Sequence, residues 1–289
     1  MNSILCMVKR NIMSYRFMIA VVLVVLLCGC VRLDAVFEST LSVIKAYVSY
    51  SHAELLGYGE YASAYYVVMY FLEQEWFSVL FPVLAAFPCV YEFADEWLSG
   101  NYYITVSRTN KNKYCLGRFV STAISGALVI IVGVLIFALL IYIRFPALSE
   151  YPADELFLFG MQTGGQLLLQ FVKRVLHLGM HGALSAIIAV VLMIVLEDRF
   201  YALSIPMMIE FIGIKIDGVY ISHLVEKYGY SYPHITKIPR LLNPACHLDM
   251  DQTFVGSIGL SYGWYLLYMF LLFIGLFAFL NRLMKRRNE

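Results

Sequence analysis

From Phe119 to Ile143 the chain runs without one charged residue. A helix rises about 1.5 Å per residue, so this run is long enough to cross a hydrocarbon core of about 30 Å. Five further apolar runs occupy roughly residues 17–31, 76–91, 175–196, 200–216 and 262–280. The first, second and fifth of the six are short and borrow flanking residues. Composition agrees: of 289 residues only 14% are charged and 61% are hydrophobic, with mean hydropathy +0.74. Soluble domains carry about 25% charged residues. The expected fold class is all-α, a polytopic membrane protein with six transmembrane helices in a single transmembrane domain over residues 1–289. Its surroundings are membrane lipid, and a net charge of +1 gives no ground for a nucleic-acid partner.

Six spans put both termini on one side, and Lys and Arg decide which. Lys9, Arg10, Arg16, Arg108, Lys111, Lys113, Arg118, Arg199, Arg282, Lys285, Arg286 and Arg287 fall on the terminal side, in short segments. The other nine basic residues are spread over longer segments that also hold most of the acids. The expected location is the cell membrane, multi-pass, with both termini cytoplasmic and with 32–75 and 217–261 outside. Lys173-Arg174 runs against this trend.

Lys9, Arg10 and Arg16 before an apolar run could open a secretory signal, and Leu27-Cys28-Gly29-Cys30 resembles a lipoprotein cleavage box. Five further spans make a retained first helix the expectation. Ile4, Val8 and Ile12 repeat every four residues, which suits an N-terminal interfacial helix; a longer first span is the alternative. The tyrosines of 32–75 suit an anchor at the lipid boundary, or an aromatic surface that meets substrate. Pro233, Pro239 and Pro244 break the second outside segment, leaving room for short helices around 220–227 and 239–248.

Several residues within the spans stand out. Pro82 and Pro88 predict a kinked second helix that faces protein, because freed carbonyls need partners in lipid. The fourth span has a small face at Gly179, Gly182, Ala183, Ala186 and Ala189, suited to close helix approach. It also carries His177 and His181 one turn apart, a metal-compatible spacing, but lacks the glutamate of HExxH. No metal site is expected. Glu210 in the fifth span is a functional candidate because a carboxylate at membrane depth is costly; it is interfacial if that span ends near Met208. Glu210, Pro82 and Pro88 are the candidate substrate-pathway residues. The six cysteines show no paired zinc spacing and read as buried apolar groups.

No phosphate loop of the form G-x-x-x-x-G-K-[ST] and no G-x-S-x-G elbow occurs. No catalytic residue or cofactor is therefore expected on this chain. Between the second and third spans lies a polar connector, Glu92 to Arg118, acidic at its start and basic at its end. It offers Glu92 and Glu96, a Ser99-Gly100 break, Ile104 and Val106, then Arg108, Lys113-Tyr114 and Gly117-Arg118. This pattern, with the order of spans around it, resembles the permease subunit of an ATP-binding-cassette (ABC) transporter of the type 2 exporter class. Asn101 stands where that family often has Thr, and Arg118 where it often has Lys.

The resemblance implies the rest of a mechanism. A second permease copy, identical or related, would pair with this one, and separate ATPase subunits would supply ATP and Mg. The connector would form a cytoplasmic coupling helix between spans two and three, with Glu92, Glu96, Gly100, Arg108 and Lys113 as coupling residues. Gly100 would permit the turn, and Glu96 and Arg108 would make charged contacts with the ATPase or with neighbouring spans. The cargo would be a hydrophobic or amphipathic peptide, antibiotic or lipid-like molecule moved outward. Two other classes stay open. One is a membrane-embedded peptide-processing enzyme built on Glu210, His177 and His181; the other is an immunity or sensor protein that transports nothing.

Overall fold

The computed structural model describes residues 2–30, 42–72, 75–151, 164–228 and 258–286. Among them the regular structure is helical, with no strand. The chain forms α1 (Asn2–Ile12), α2 (Tyr15–Gly29), α3 (Val43–Ser49), α4 (His52–Leu56) and α5 (Ala64–Leu72). There follow α6 (Glu75–Leu98), α7 (Tyr102–Thr109), α8 (Lys111–Arg144), α9 (Gly164–Leu196), α10 (Arg199–Tyr228) and α11 (Ile258–Arg286).

Two of these helices, α8 and α9, are long and apolar enough to cross a membrane, with mean hydropathy 3.1 and 2.3 in their most apolar stretches. The pair α1–α2, bent by 56°, adds a third if taken as one span. Helix α9 is the axis of the bundle. In its most apolar stretch 72% of residues are buried, against 50% for α8, and α6, α8, α10 and α11 all pack on it. Helices α1 and α2 lie against α8.

Glycine sets the closest approach. A Cβ on Gly126 of α8 would lie 2.6 Å from Ala186 Cβ and 2.7 Å from the Gly182 carbonyl oxygen on α9. The two backbones touch, as close helix packing in lipid requires. The small face expected on the fourth span is this seam, and Gly126 is its counterpart.

Several boundaries move. The second expected span, 76–91, is the body of α6, which continues to Leu98 and takes in the start of the connector. Pro82 and Pro88 lie inside this one helix, and both are buried, so it faces protein. The fourth and fifth expected spans lie within longer helices, α9 at 164–196 and α10 at 199–228. Residues 220–227 are helical as the end of α10, not as a separate element; the helix expected around 239–248 lies outside the described residues. Lys173-Arg174 sit within α9, Lys173 exposed and Arg174 buried, which accounts for their departure from the charge trend. The N-terminal helix is distinct from α2, broken at Met13-Ser14, where Ser14 caps α2 by accepting from the Phe17 N–H.

The tyrosine-rich segment folds back on the bundle. Helix α5 buries Val67, Val68 and Phe71, the last with its ring centre 5.0 Å from that of Phe137 on α8. Before it Tyr50 packs edge-on to Tyr58, and within it Tyr66 stacks on Tyr70. A clasp holds this segment to the end of α8. Arg144 donates to the Tyr50 carbonyl at 2.7 Å, satisfying a group near the end of α3, and the Ala64 N–H donates to the Pro146 carbonyl at 2.8 Å. His52 lies 3.3 Å from the Arg144 carbonyl and 2.8 Å from Glu150.

Both nitrogens of His52 face acceptors, so the imidazolium is the form that satisfies them. The hydrogen bond to Glu150, with that to the Arg144 carbonyl, raises the His52 pKa above 6.5. A raised histidine contributes stability that is complete below its unfolded value and lost as pH rises through the folded value. The protection of amides in residues 43–58, taken relative to their intrinsic exchange rates at each pH, is therefore expected to be greater at a pH of about 6 than of about 8. His52→Gln should abolish the difference; an unchanged pH dependence in that variant would show that the clasp does not depend on His52.

Candidate functional site: the connector and its charge cluster

The connector is the end of α6, the short α7 set between two sharp turns, and the start of α8. After Leu98 the chain reverses through Ser99 and Gly100, whose φ of +74° suits a residue without a Cβ. Helix α7 then runs for eight residues to Asn110, at φ +77°, whose side chain accepts from the Asn112 N–H at the start of α8. Among residues other than glycine, asparagine is one of those found most often at positive φ.

Helix α7 has an inner and an outer face. Tyr102 is buried, its ring stacked 4.4 Å from that of Trp97 at the end of α6. Tyr103, Ile104, Ser107 and Arg108 are exposed, and the i, i+1, i+4, i+5 spacing puts them on one side. Leu98, just before the turn, is exposed as well. Lys113 projects from the first turn of α8 and is also exposed.

Glu92 and Glu96 behave differently. They lie one turn apart on α6 and are engaged within the chain. Arg10 of α1 pairs with Glu92 and, at 3.0 Å, with Glu96. Arg118 of α8 pairs with Glu96, and the Tyr114 hydroxyl donates to the other Glu96 oxygen at 3.0 Å. Beside them Asp95 meets Arg16 of α2 at 2.9 Å and Arg199 of α10 at 3.1 Å. Aromatic rings line the cluster: Arg118 sits over Phe93, and Arg16 and Arg199 over Tyr91. Three carboxylates on one helix thus tie down four arginines on α1, α2, α8 and α10. Most of the cluster is partly solvated, but the Arg118 side chain is 3% exposed and that of Glu96 10%. That pair is a buried ion pair.

Of the expected coupling residues, Gly100 occupies the turn foreseen for it, and Arg108 and Lys113 face outward. Glu96 takes up the contact with a neighbouring helix, and Glu92 goes with it. From sequence Arg10, Arg16 and Arg199 read only as markers of sidedness, and Tyr114 only as part of the Lys113-Tyr114 pair of the connector motif. The contacts of Arg10 and Arg16 span 86 and 79 residues of chain, beyond any local periodicity.

The other candidates gather elsewhere. Glu210, midway along α10, is buried, with its Oε1 3.3 Å from His181 Nε2 on α9. The Tyr265 hydroxyl of α11 lies 3.4 Å from His181 Nδ1, and the His177 ring packs against Tyr262 and Tyr265. Glu210 is therefore enclosed by helices, not at a surface, and Tyr265 is the member that sequence missed. Among the described residues no group of three or more His, Cys, Asp or Glu is placed to hold a metal. Pro82 and Pro88 remain in the α6 wall.

No family model matches the chain and no curated protein matches it in sequence, so the functional reading stands on these residues and their geometry.

Proposed function

We propose that this chain is the permease subunit of an ATP-driven exporter of the type 2 ABC class, with six spans formed by α2, α6, α8, α9, α10 and α11. The observation that carries the reading is α7. It is a short helix between two left-handed turns, fastened by Tyr102 on Trp97, with Tyr103, Ile104 and Arg108 outward. An apolar centre with a basic rim is what a helix needs to seat in a groove of a partner. The partner is an ATPase subunit that brings ATP and Mg, since this sequence has no phosphate loop of its own. A second permease copy completes the path for a hydrophobic or amphipathic peptide, antibiotic or lipid-like cargo. Within this reading Arg108 and Lys113 meet the ATPase, while Glu92 and Glu96 pass its movement to α1 and α8.

The test is co-purification with the ATPase encoded beside it. Ile104→Asp should weaken the complex by about 2 kcal/mol or more, about thirtyfold in affinity, and should leave the helical bundle intact. An unchanged complex would sink α7 as the docking helix. Glu96→Ala does not serve this test, because Glu96 is part of the fold.

The convergence of His181 and Glu210 favours a second reading, a membrane-embedded enzyme. Against it, His181 and Tyr265 are wholly buried and Glu210 nearly so, so a substrate bond reaches them only if the helices part. Peptide turnover without any ATPase, lost in Glu210→Gln, would decide for the enzyme.

A further inference from the structure

Helix α9, the most enclosed in the bundle, carries a buried polar stripe: Arg174, His177, His181 and Ser185, at spacings of three, four and four residues. Such a row inside a bundle of apolar helices costs free energy unless each group is paired. Ser185 is satisfied within the helix, donating to the His181 carbonyl at 2.9 Å. His181 reaches across to other helices. We propose that His181 and Glu210, ordered by Tyr265, form a binding site for a single exchangeable proton in the middle of the bundle.

The geometry sets the chemistry. The Tyr265 hydroxyl lies 3.4 Å from His181 Nδ1; it donates to that nitrogen when the imidazole is neutral with its proton on Nε2, and accepts from it when the imidazole is charged. Nε2 faces Glu210 Oε1 at 3.3 Å. The second carboxyl oxygen, Oε2, is buried and has no hydrogen-bond partner among the described residues. His181 and Tyr265 are 0% exposed and Glu210 7%. An isolated carboxylate there would carry the full cost of a desolvated charge. One proton removes it in either of two ways: a neutral imidazole beside a carboxylic acid, or an imidazolium beside a carboxylate. Both are net neutral. A second proton leaves a buried positive charge, and loss of the first leaves a negative one. The two groups therefore titrate as a unit whose pKa values belong to the pair.

Other titratable and charged groups stand on the elements around the pair. On α9, His177 is packed between Tyr262 and Tyr265, and Arg174 lies about two turns, or 10 Å, from His181. On α11, the Tyr262 hydroxyl donates to the Lys173 carbonyl. On α10, Lys215 is exposed over the Phe211 ring, and Arg199 is about 16 Å from Glu210 along the helix, held by Asp95. On α6, Glu92, Asp95 and Glu96 belong to the connector cluster, and the Cys89 thiol is directed at the Thr122 carbonyl of α8. On α8, Tyr114 and Arg118 belong to that same cluster. The pair thus exchanges its proton when α10 moves off α9 and water enters: the O–H or N–H bond breaks and the proton passes to water. Closure reloads it.

This site does not depend on ATPase docking, so its failure and that of the exporter reading are separable. The experiment uses the full chain in lipid nanodiscs at neutral pH. Infrared spectra with labelled glutamate report the acid at position 210, and nitrogen-labelled histidine reports the charge on His181. The two signals together should count one proton. Glu210→Gln should remove the carboxyl signal and leave His181 neutral, and Glu210→Asp should keep a shifted acid. A carboxylate beside a neutral imidazole, or an acid beside an imidazolium, would overturn the proposal. The count on the unaltered chain stands even if a variant fails to fold.

Discussion

Replacing Glu96 with alanine is expected to destabilise the bundle by about 3–5 kcal/mol, the cost of breaking one side of a buried ion pair. The Arg118 side chain is 3% exposed. Without Glu96 its guanidinium has no carboxylate within the cluster as close, and the Tyr114 hydroxyl loses its acceptor. Arg118→Met should cost less, about 1–3 kcal/mol, because Glu96 keeps Arg10 at 3.0 Å. The double change Glu96→Met with Arg118→Met should recover much of the loss, since an apolar pair of similar volume can replace a buried ion pair at little net cost. Thermal unfolding in detergent of the unaltered chain, Glu96→Met, Arg118→Met and the double variant closes the cycle, with Glu96→Ala measured beside them. If Glu96→Ala costs under about 1 kcal/mol, the pair behaves like an exposed one and the cluster is not a fastening.

The second large effect belongs to the glycine seam. A Cβ on Gly182 would lie 2.8 Å from the Gly126 carbonyl oxygen and 2.8 Å from Ile130 Cγ1. Backbone cannot turn aside as a side chain can. Gly182→Ala should therefore cost about 1–3 kcal/mol, and Gly182→Val more, to the point of losing ordered protein. Gly275 on α11 is the control, because an added Cβ there meets nothing within 4 Å. Gly275→Ala should be neutral or stabilise by about 0.5–1 kcal/mol through helix propensity. Equal responses at the two positions, read as melting temperature and monodisperse yield, would mean that α8 and α9 do not rely on backbone contact.

Local chemistry made much of this legible in the sequence. An uncharged run can only be a helix of the α8 kind in lipid, and small residues every three or four positions mark a helix seam. The burial of Pro82 and Pro88 followed from the need to house freed carbonyls. What sequence could not show depends on pairing over distance. Glu96 reads as a charged contact with the ATPase or a neighbouring span, and the choice of partner appears only when α6 continues past Tyr91 and turns it towards Arg10 and Arg118. Glu210 stood between interface and interior because hydropathy treats each residue singly, whereas its burial is conferred by α9. The division of the connector into the end of α6 and a separate α7 depends on Asn110 as much as on Gly100. An asparagine, unlike a glycine, carries no obvious mark of a left-handed turn.

Helix α8 has a mechanical consequence. It has 34 residues, about 51 Å of helix, and one residue, Asn110, joins it to α7. Its far end carries Arg144, which holds the tyrosine-rich segment by the carbonyls of Tyr47 and Tyr50. A rod of that length tilted by only about 5° displaces its tip by about 4 Å, more than any hydrogen bond in the clasp can stretch. Within the exporter reading, a rotation imposed at α7 would be felt most at the Arg144 clasp, the contact on α8 that lies furthest from the connector.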